Sequence, residues 1–286
     1  MPTAPALVRL VAPMIAAGVL LSGCGASSPA NAGAKSGQET HGTTVGAAGA
    51  AGEPLAAAIG PQFVTGPAPD LLPDGALYRN PANGRDEVIV EGIRDTALLI
   101  GDSQSSPGSA WTRQGLARAG YGVFFCGRGG TGFVAANGKT GNYIDALQRG
   151  DWNLPYGSPP LVVIQGGGND AGQGATDAQI TRNADRLIAA LRQRYPDSKF
   201  LMIGTLARGA KAGGGRRSEV DALLGTVAAR HDIEFISVGN WLTRYDVAKL
   251  TVDGRHMTDA GNDALGAVLG RRLHAMGIQA DATRGS

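Results

Sequence analysis

Residues 96–108 read TALLIGDSQSSPG, and the way this stretch ends decides how the whole chain is read. The apolar run Ala97–Ile100 stops at Gly101-Asp102-Ser103, and polar and small residues continue to Pro107. The run is continuous rather than alternating, which suits a strand covered on both faces and hence a parallel sheet. The same kind of run recurs as GVFFC (122–126), LVVIQ (161–165), KFLMIG (199–204) and IEFISV (233–238). Helix-like segments lie near 109–119, 177–195, 216–231 and 258–276. In the second of these, Ile180, Ala184, Leu187, Ile188 and Leu191 return at three- and four-residue spacing. This alternation predicts an α/β domain over 94–286: a doubly wound, mostly parallel five-stranded sheet with helices on both faces.

The chain has 286 residues, 43% of them hydrophobic, enough for one substantial core. A formal net charge of +2 without a Lys/Arg run argues against a nucleic-acid partner. At the N-terminus Arg9 precedes an apolar run, Leu10–Leu21, too short to span a bilayer and suited to a secretory signal over 1–23. Its end, Leu21-Ser22-Gly23-Cys24, resembles a bacterial lipobox. That resemblance implies lipidation of Cys24, a membrane partner through that lipid, and a location in the bacterial cell envelope. Residues 24–58 are poor in large apolar side chains and read as a flexible tether, and 59–93 as an irregular segment packing on the domain. With Cys24 so used, Cys126 has no disulfide partner, and its VFFC setting suits a small buried hydrophobe.

In a sheet of this type, ligands bind beyond the carboxyl ends of the strands. The segments found there are Gly101-Asp102-Ser103, GRGGTG (127–132), Gly167-Gly168-Asn169-Asp170, the loop 205–217, and Asp253-Gly254-Arg255-His256. Each has an ordinary reading taken alone. GDS suits helix capping, GGGND a glycine turn, and DGRH a surface turn before a helix. Gly127, Gly129 and Gly132 also satisfy G-x-G-x-x-G, but FVAANGKTGNY follows where a dinucleotide site needs a helix. Of the four histidines, only His256 falls in a loop at this edge, three residues after Asp253. That spacing lets a carboxylate fix the imidazole tautomer, as a nucleophile–base–orienter triad requires.

Four of these segments, Gly101-Asp102-Ser103, GRGGTG, Gly167-Gly168-Asn169-Asp170 and Asp253-Gly254-Arg255-His256, in this order resemble the SGNH (GDSL-like) hydrolase family, whose fold is flavodoxin-like, over roughly 94–276. The resemblance implies Ser103 as nucleophile, His256 as base and Asp253 as its orienter. The oxyanion donors would be the N–H groups of Ser103 and Gly130, with Gly129 or Gly132 as alternatives, and the Asn169 amide. No cofactor is expected, and no metal, since the chain lacks H-E-x-x-H, C-x-x-C and clustered histidines.

The implied activity is a membrane-tethered extracytoplasmic serine esterase, acting on a small-molecule or glycan ester through an acyl-enzyme. An acyltransferase using the same acyl-enzyme and a non-catalytic envelope-binding lipoprotein are the alternatives. Trp111, Trp152, Tyr143 and Tyr156 are candidates for stacking on sugar, or ordinary core aromatics. Arg208, Lys211, Arg216 and Arg217 are candidates for an anionic ligand, or a solvated loop.

Overall fold

The structure, a computed structural model, describes residues 68–281. The signal segment, Cys24 and the tether over 24–58 lie outside the described residues. Two short strands come first, β1 (Leu77–Asn80) and β2 (Arg85–Val88), followed by β3 (Thr96–Gly101), α1 (Trp111–Arg118), β4 (Gly122–Gly127) and α2 (Tyr143–Arg149). Then come β5 (Leu161–Gln165), α3 (Gly168–Gly172), α4 (Asp177–Arg194), β6 (Lys199–Ile203) and α5 (Gly215–Arg230). The chain closes with β7 (Glu234–Ile236), α6 (Trp241–Arg244) and α7 (Asp259–Ala275).

Five strands pair in the order β4-β3-β5-β6-β7, all parallel. The period-two alternation of strand side chains divides the core into two layers. Leu98, Ile100, Val162, Ile164 and Met202 face α2, α4 and α5, where Ile144, Ile180, Leu187, Leu191 and Leu224 cover them. Ala97, Leu99, Val163, Leu201 and Ile203 face the other way, onto Trp111 and Leu116 of α1 and Leu265, Leu269 and Leu273 of α7. Both faces of β3 are covered, which is why its sequence is apolar without alternation.

α1 and α7 touch almost backbone to backbone. A Cβ on Gly115 would fall 2.4 Å from Leu269, one on Gly266 2.7 Å from Gln114, and one on Gly270 2.8 Å from Arg118. At the far edge β7 is shorter than the run 233–238. The Asp221 carboxylate accepts from Ser237 Oγ (2.6 Å) and Val238 N (3.1 Å), drawing those residues out of the strand ladder.

Of the segment 59–93, expected to be irregular, residues 59–67 also lie outside the described residues, and the rest contains regular structure. β1 and β2 form an antiparallel hairpin pairing Leu77 with Val88 and Asn80 with Arg85. The turn Asn80-Pro81-Ala82-Asn83-Gly84 is a conventional signal, with Gly84 at φ 65°. Its flanks are charged rather than apolar, so periodicity hides the strands. The hairpin is fastened by Glu87, a buried carboxylate that receives Arg194 Nε (2.6 Å) and Nη2 (2.7 Å) from α4. Asn80 and Asn83 donate to its oxygens at 2.8 and 2.9 Å. Removing one partner of such a pair strands the other. Glu87→Ala is therefore expected to cost about 3–5 kcal/mol, read as a lower urea midpoint, with the hairpin lost before the sheet in hydrogen exchange.

Candidate active site

β3 ends at Gly101, and the next residues are turned by their own side chains. Asp102 Oδ1 accepts the Gln104 N–H at 2.8 Å, leaving Ser103 outward and its two successors inward. Ser105 is fully buried, donating to Gln165 Oε1 (2.8 Å) and accepting from Thr112 Oγ1 (3.0 Å). A Cβ on Gly101 would lie 2.8 Å from Ser105 Cβ and Oγ, so only glycine lets the loop fold back this tightly. Three serines lie within four residues, and their environments differ. Ser103 reaches His256, Ser105 holds the loop to the sheet, and Ser106 is exposed.

The loop 251–257 presents the histidine. Val252 N donates to His256 O at 2.8 Å and Thr251 bridges to Met257, while Gly254 turns at φ 76°. Asp253 Oδ1 receives the N–H groups of Arg255 (2.9 Å) and His256 (2.8 Å). Its Oδ2 lies 2.7 Å from His256 Nδ1, and His256 Nε2 lies 2.9 Å from Ser103 Oγ. An ionised Asp253 makes Nδ1 the protonated nitrogen, so Nε2 is free to accept the serine proton. The His256 N–H, then its imidazole and the Arg255 N–H, hold the Asp253 carboxyl well below the usual carboxylate range. It stays charged throughout the working pH of a histidine base.

Side chains away from the chemistry join the two loops. Gln104 Nε2 donates to Arg255 O at 2.7 Å, and its Oε1 accepts Trp111 Nε1 at 3.3 Å. Asn262 Oδ1 accepts Trp111 N at 3.0 Å, linking the start of α7 to the start of α1.

Asn169 stands at the first turn of α3, beyond β5. One amide hydrogen is engaged by Thr131 O at 2.9 Å, while Asp102 Oδ2 is 3.4 Å away. Asp170, fully buried, accepts from Phe133 N (3.0 Å), Val134 N (2.7 Å) and Ala135 N (2.8 Å) and so fixes the loop after β4. A Cβ on Gly132 would strike that carboxylate at 2.4 Å. Within the glycine run, Gly129 borders Ser103, its Cβ position lying 3.5 Å from Ser103 Cβ. Gly130, at φ 81°, presents its Cβ position to Asn137 instead.

A cavity of about 290 Å³ opens beside Ser103 and His256, lined also by Gln104, Gly129, Ala110 and Met257. A larger one, about 1000 Å³, lies between the 69–74 segment and Tyr121, Tyr156 and Lys199, and includes none of these residues. The candidate sugar platforms are largely committed elsewhere. Trp111 and Tyr143 are buried, the Tyr143 hydroxyl donating to Gln165 O at 3.0 Å. Trp152 packs on the core, and Tyr156 meets Tyr78 edge-on. Cys126 is buried, donating to Asn153 O at 3.2 Å, and burial pushes its thiol well up. Among the described residues no group of three or more His, Cys, Asp or Glu could hold a metal ion.

Sequence reading overlooked Gln104, Asp170 and the buried role of Asp102. Asp170 was visible as the end of GGGND, but its partners are backbone groups some 35 residues away, which no spacing reveals.

A parallel α/β sheet carrying serine, imidazole and carboxylate in line at its carboxyl edge defines an ester-hydrolysing serine hydrolase. The chain belongs to the GDSL-like lipase/acylhydrolase family, whose profile matches residues 89–264. Similar solved structures include TesA, at 23% identity over 63% of this chain and 99% of that one, TM-score 0.47. The lipase/acylhydrolase from Enterococcus faecalis matches at 19% identity over 63% and 96%, TM-score 0.48. A family two carbohydrate esterase from Clostridium thermocellum, in complex with cellohexaose, matches at 15% over 68% of each chain, TM-score 0.46. No curated protein matches the sequence.

Burial raises the Asp102 carboxyl to about 6, against the Gln104 N–H and the Arg217 cation, which pull it down. A carboxyl whose folded pKa exceeds its unfolded value of 3.8 binds its proton more tightly when folded. Its contribution to stability is therefore full below pH ~4 and is lost as pH rises to ~6. Asp102→Asn removes this titration. Its stability relative to wild type, from urea melts, is expected to increase between pH 4 and 6 and then level off.

Proposed function

We propose that the protein is an extracytoplasmic serine esterase, tethered by a lipid on Cys24, that cleaves acyl esters of envelope carbohydrate or glycolipid through an acyl-enzyme. The observation that carries the catalytic part is the unbroken contact from Asp253 through His256 to Ser103, at 2.7 and 2.9 Å. A serine hydroxyl is a weak nucleophile until a base stands within hydrogen-bond reach. As Ser103 Oγ bonds to the ester carbon, its proton passes to His256 Nε2, and Asp253 stabilises the imidazolium. The carbon–alkoxy bond then breaks and the imidazolium protonates the departing oxygen. Water repeats the sequence, giving one proton to His256 while its oxygen bonds to the acyl carbon. The acid departs and the proton returns to Ser103.

The tetrahedral oxyanion needs preorganised donors. The Ser103 N–H, Gly130 N–H and Asn169 amide are assigned this role. The Asn169 hydrogen not engaged by Thr131, held only by the long 3.4 Å contact to Asp102 Oδ2, is the one to turn onto the oxyanion. The tether and the envelope substrate rest on the Leu21–Cys24 lipobox and the apolar run before it. Cys24→Ala is expected to release the protein from the membrane fraction and abolish labelling by a fatty-acid probe, and labelling that survives the substitution would remove the anchor.

Ser103→Ala and His256→Ala are each expected to lower kcat on 4-nitrophenyl acetate by roughly 10³-fold or more, with unchanged thermal melting. Asn169→Ala is expected to lower kcat by about 10²–10³, with a smaller change in KM. Full esterase activity in Ser103→Ala would overturn the assignment, and a fluorophosphonate label located by mass spectrometry provides the independent check.

A further inference from the structure

Two arginines flank the catalytic residues, Arg217 beside the Gly168-Asn169 turn and Arg255 next to His256, and neither has an ion-pair partner among the described residues. Arg217, in the first turn of α5, is half-buried against the β5–α3 turn. Its Nε donates to Leu206 O at 3.0 Å and its Nη1 to Gly168 O at 3.4 Å, one residue from Asn169. Nη2 has no hydrogen-bond acceptor among the described residues. Arg255 is exposed, immediately before His256, and its backbone is held by Gln104 and Asp253. Among the described residues neither arginine forms an ion pair with a carboxylate. Arg216 contrasts with them, being neutralised by Asp177 and Glu219.

A partly desolvated cation without a counter-ion is costly unless a ligand supplies one. Burial lowers the Arg217 pKa, and Arg255 is close enough to lower it further. Among the described residues the acid that draws on Arg217 is Asp102, whose oxygens are turned to the Gln104 N–H and the Asn169 amide. Asp102 thus offsets Arg217 alone, and Arg255, next to His256 and near enough to Arg217 to act on it, is left as positive charge on the histidine side.

We propose that Arg217 and Arg255 form an anion subsite that selects esters bearing a carboxylate or phosphate near the scissile bond. The proposal rests on the assignment of Ser103 as nucleophile, since that is what places the subsite beside the reacting carbonyl. Arg217 is the anchor, with its orientation fixed by two carbonyls. Arg255, exposed on the histidine loop, is the second donor. Arginine suits this role because its planar donors match both carboxylate and phosphate oxygens. The two anions differ in source, one fitting an acidic sugar or dicarboxylic acyl group, the other a lipid or polyol phosphate.

The test compares kcat/KM for 4-nitrophenyl butyrate with 4-nitrophenyl hemiglutarate, and for an acetylated neutral hexoside with an acetylated uronide and an acetylglycerol phosphate. Wild type is expected to prefer at least one anionic ester over its neutral counterpart by roughly 10-fold or more, and to lose that preference in high salt. The carboxylate and phosphate arms identify the source. Arg217→Gln is expected to reduce the anionic-to-neutral ratio by roughly 10- to 100-fold, mainly through KM. Arg217→Lys should restore part of it, and Arg255→Gln, at a side chain that forms no hydrogen bond or ion pair among the described residues, should also reduce the ratio. Equal treatment of all anionic and neutral esters by wild type, or an unchanged ratio in both glutamine variants, would overturn the subsite. Calorimetric binding of glucuronate and inorganic phosphate to Ser103→Ala separates the two assignments. Binding that vanishes in Ser103→Ala/Arg217→Gln supports the subsite whatever the nucleophile, whereas hydrolysis retained in Ser103→Ala counts only against Ser103.

Discussion

The close packing of α1 on α7 is the constraint on which the candidate site depends. Ser103 lies in the loop that leads into α1, and His256 in the loop that leads into α7, 153 residues later. Glycines at 115, 266 and 270 let the helices approach until a methyl group would collide. With the two axes fixed, the loops at their N-terminal ends are fixed as well. Asn262 then ties helix start to helix start, and Gln104 ties loop to loop. A contact of 2.9 Å between hydroxyl and imidazole is thus the terminal consequence of steric matching that begins one to three turns below.

Buried carboxylates organise the rest of the catalytic edge. Asp102 turns the nucleophile loop, Asp170 gathers three consecutive backbone N–H groups from the loop after β4, and Asp221 ends β7. Asp170 and Asp221 receive several oriented donors, which is the condition under which a buried charge is tolerable, whereas Asp102 has one backbone N–H and its pKa is raised by burial. Loops that would otherwise carry unsatisfied backbone groups are thereby held against the sheet. Asp253 works differently. It is exposed, and its charge is maintained by two backbone N–H groups and the imidazole rather than by enclosure. The site therefore combines a buried, hydrogen-bonded floor with an exposed rim on which the histidine sits.

Much of the fold was readable from residues 94–276 because burial on both faces leaves a direct signature, the unbroken apolar run. The five strands and the four long helices all follow from it, to within a few residues at their ends. The β1–β2 hairpin was not readable. Its strands have four residues each, and it is held by the Glu87–Arg194 pair rather than by an apolar face. α2 was hidden behind the glycines at 138 and 141, although Asn142 caps it through the Asp145 N–H at 3.1 Å. Trp111 and Tyr143 illustrate the opposite limit, since composition names an aromatic but not whether it faces a ligand or the core.

By itself the sequence determined the order of strands and helices, the edge of the sheet where chemistry must lie, and the residue types gathered there. These are properties of local periodicity and of chain order, and both are written in one dimension. Tertiary structure decided which serine meets the histidine, which glycine borders it, and which arginines lack an ion-pair partner among the described residues. Those outcomes depend on distances between residues far apart in the chain. Such distances are set by how closely two helices can pack and where a buried carboxylate finds its donors.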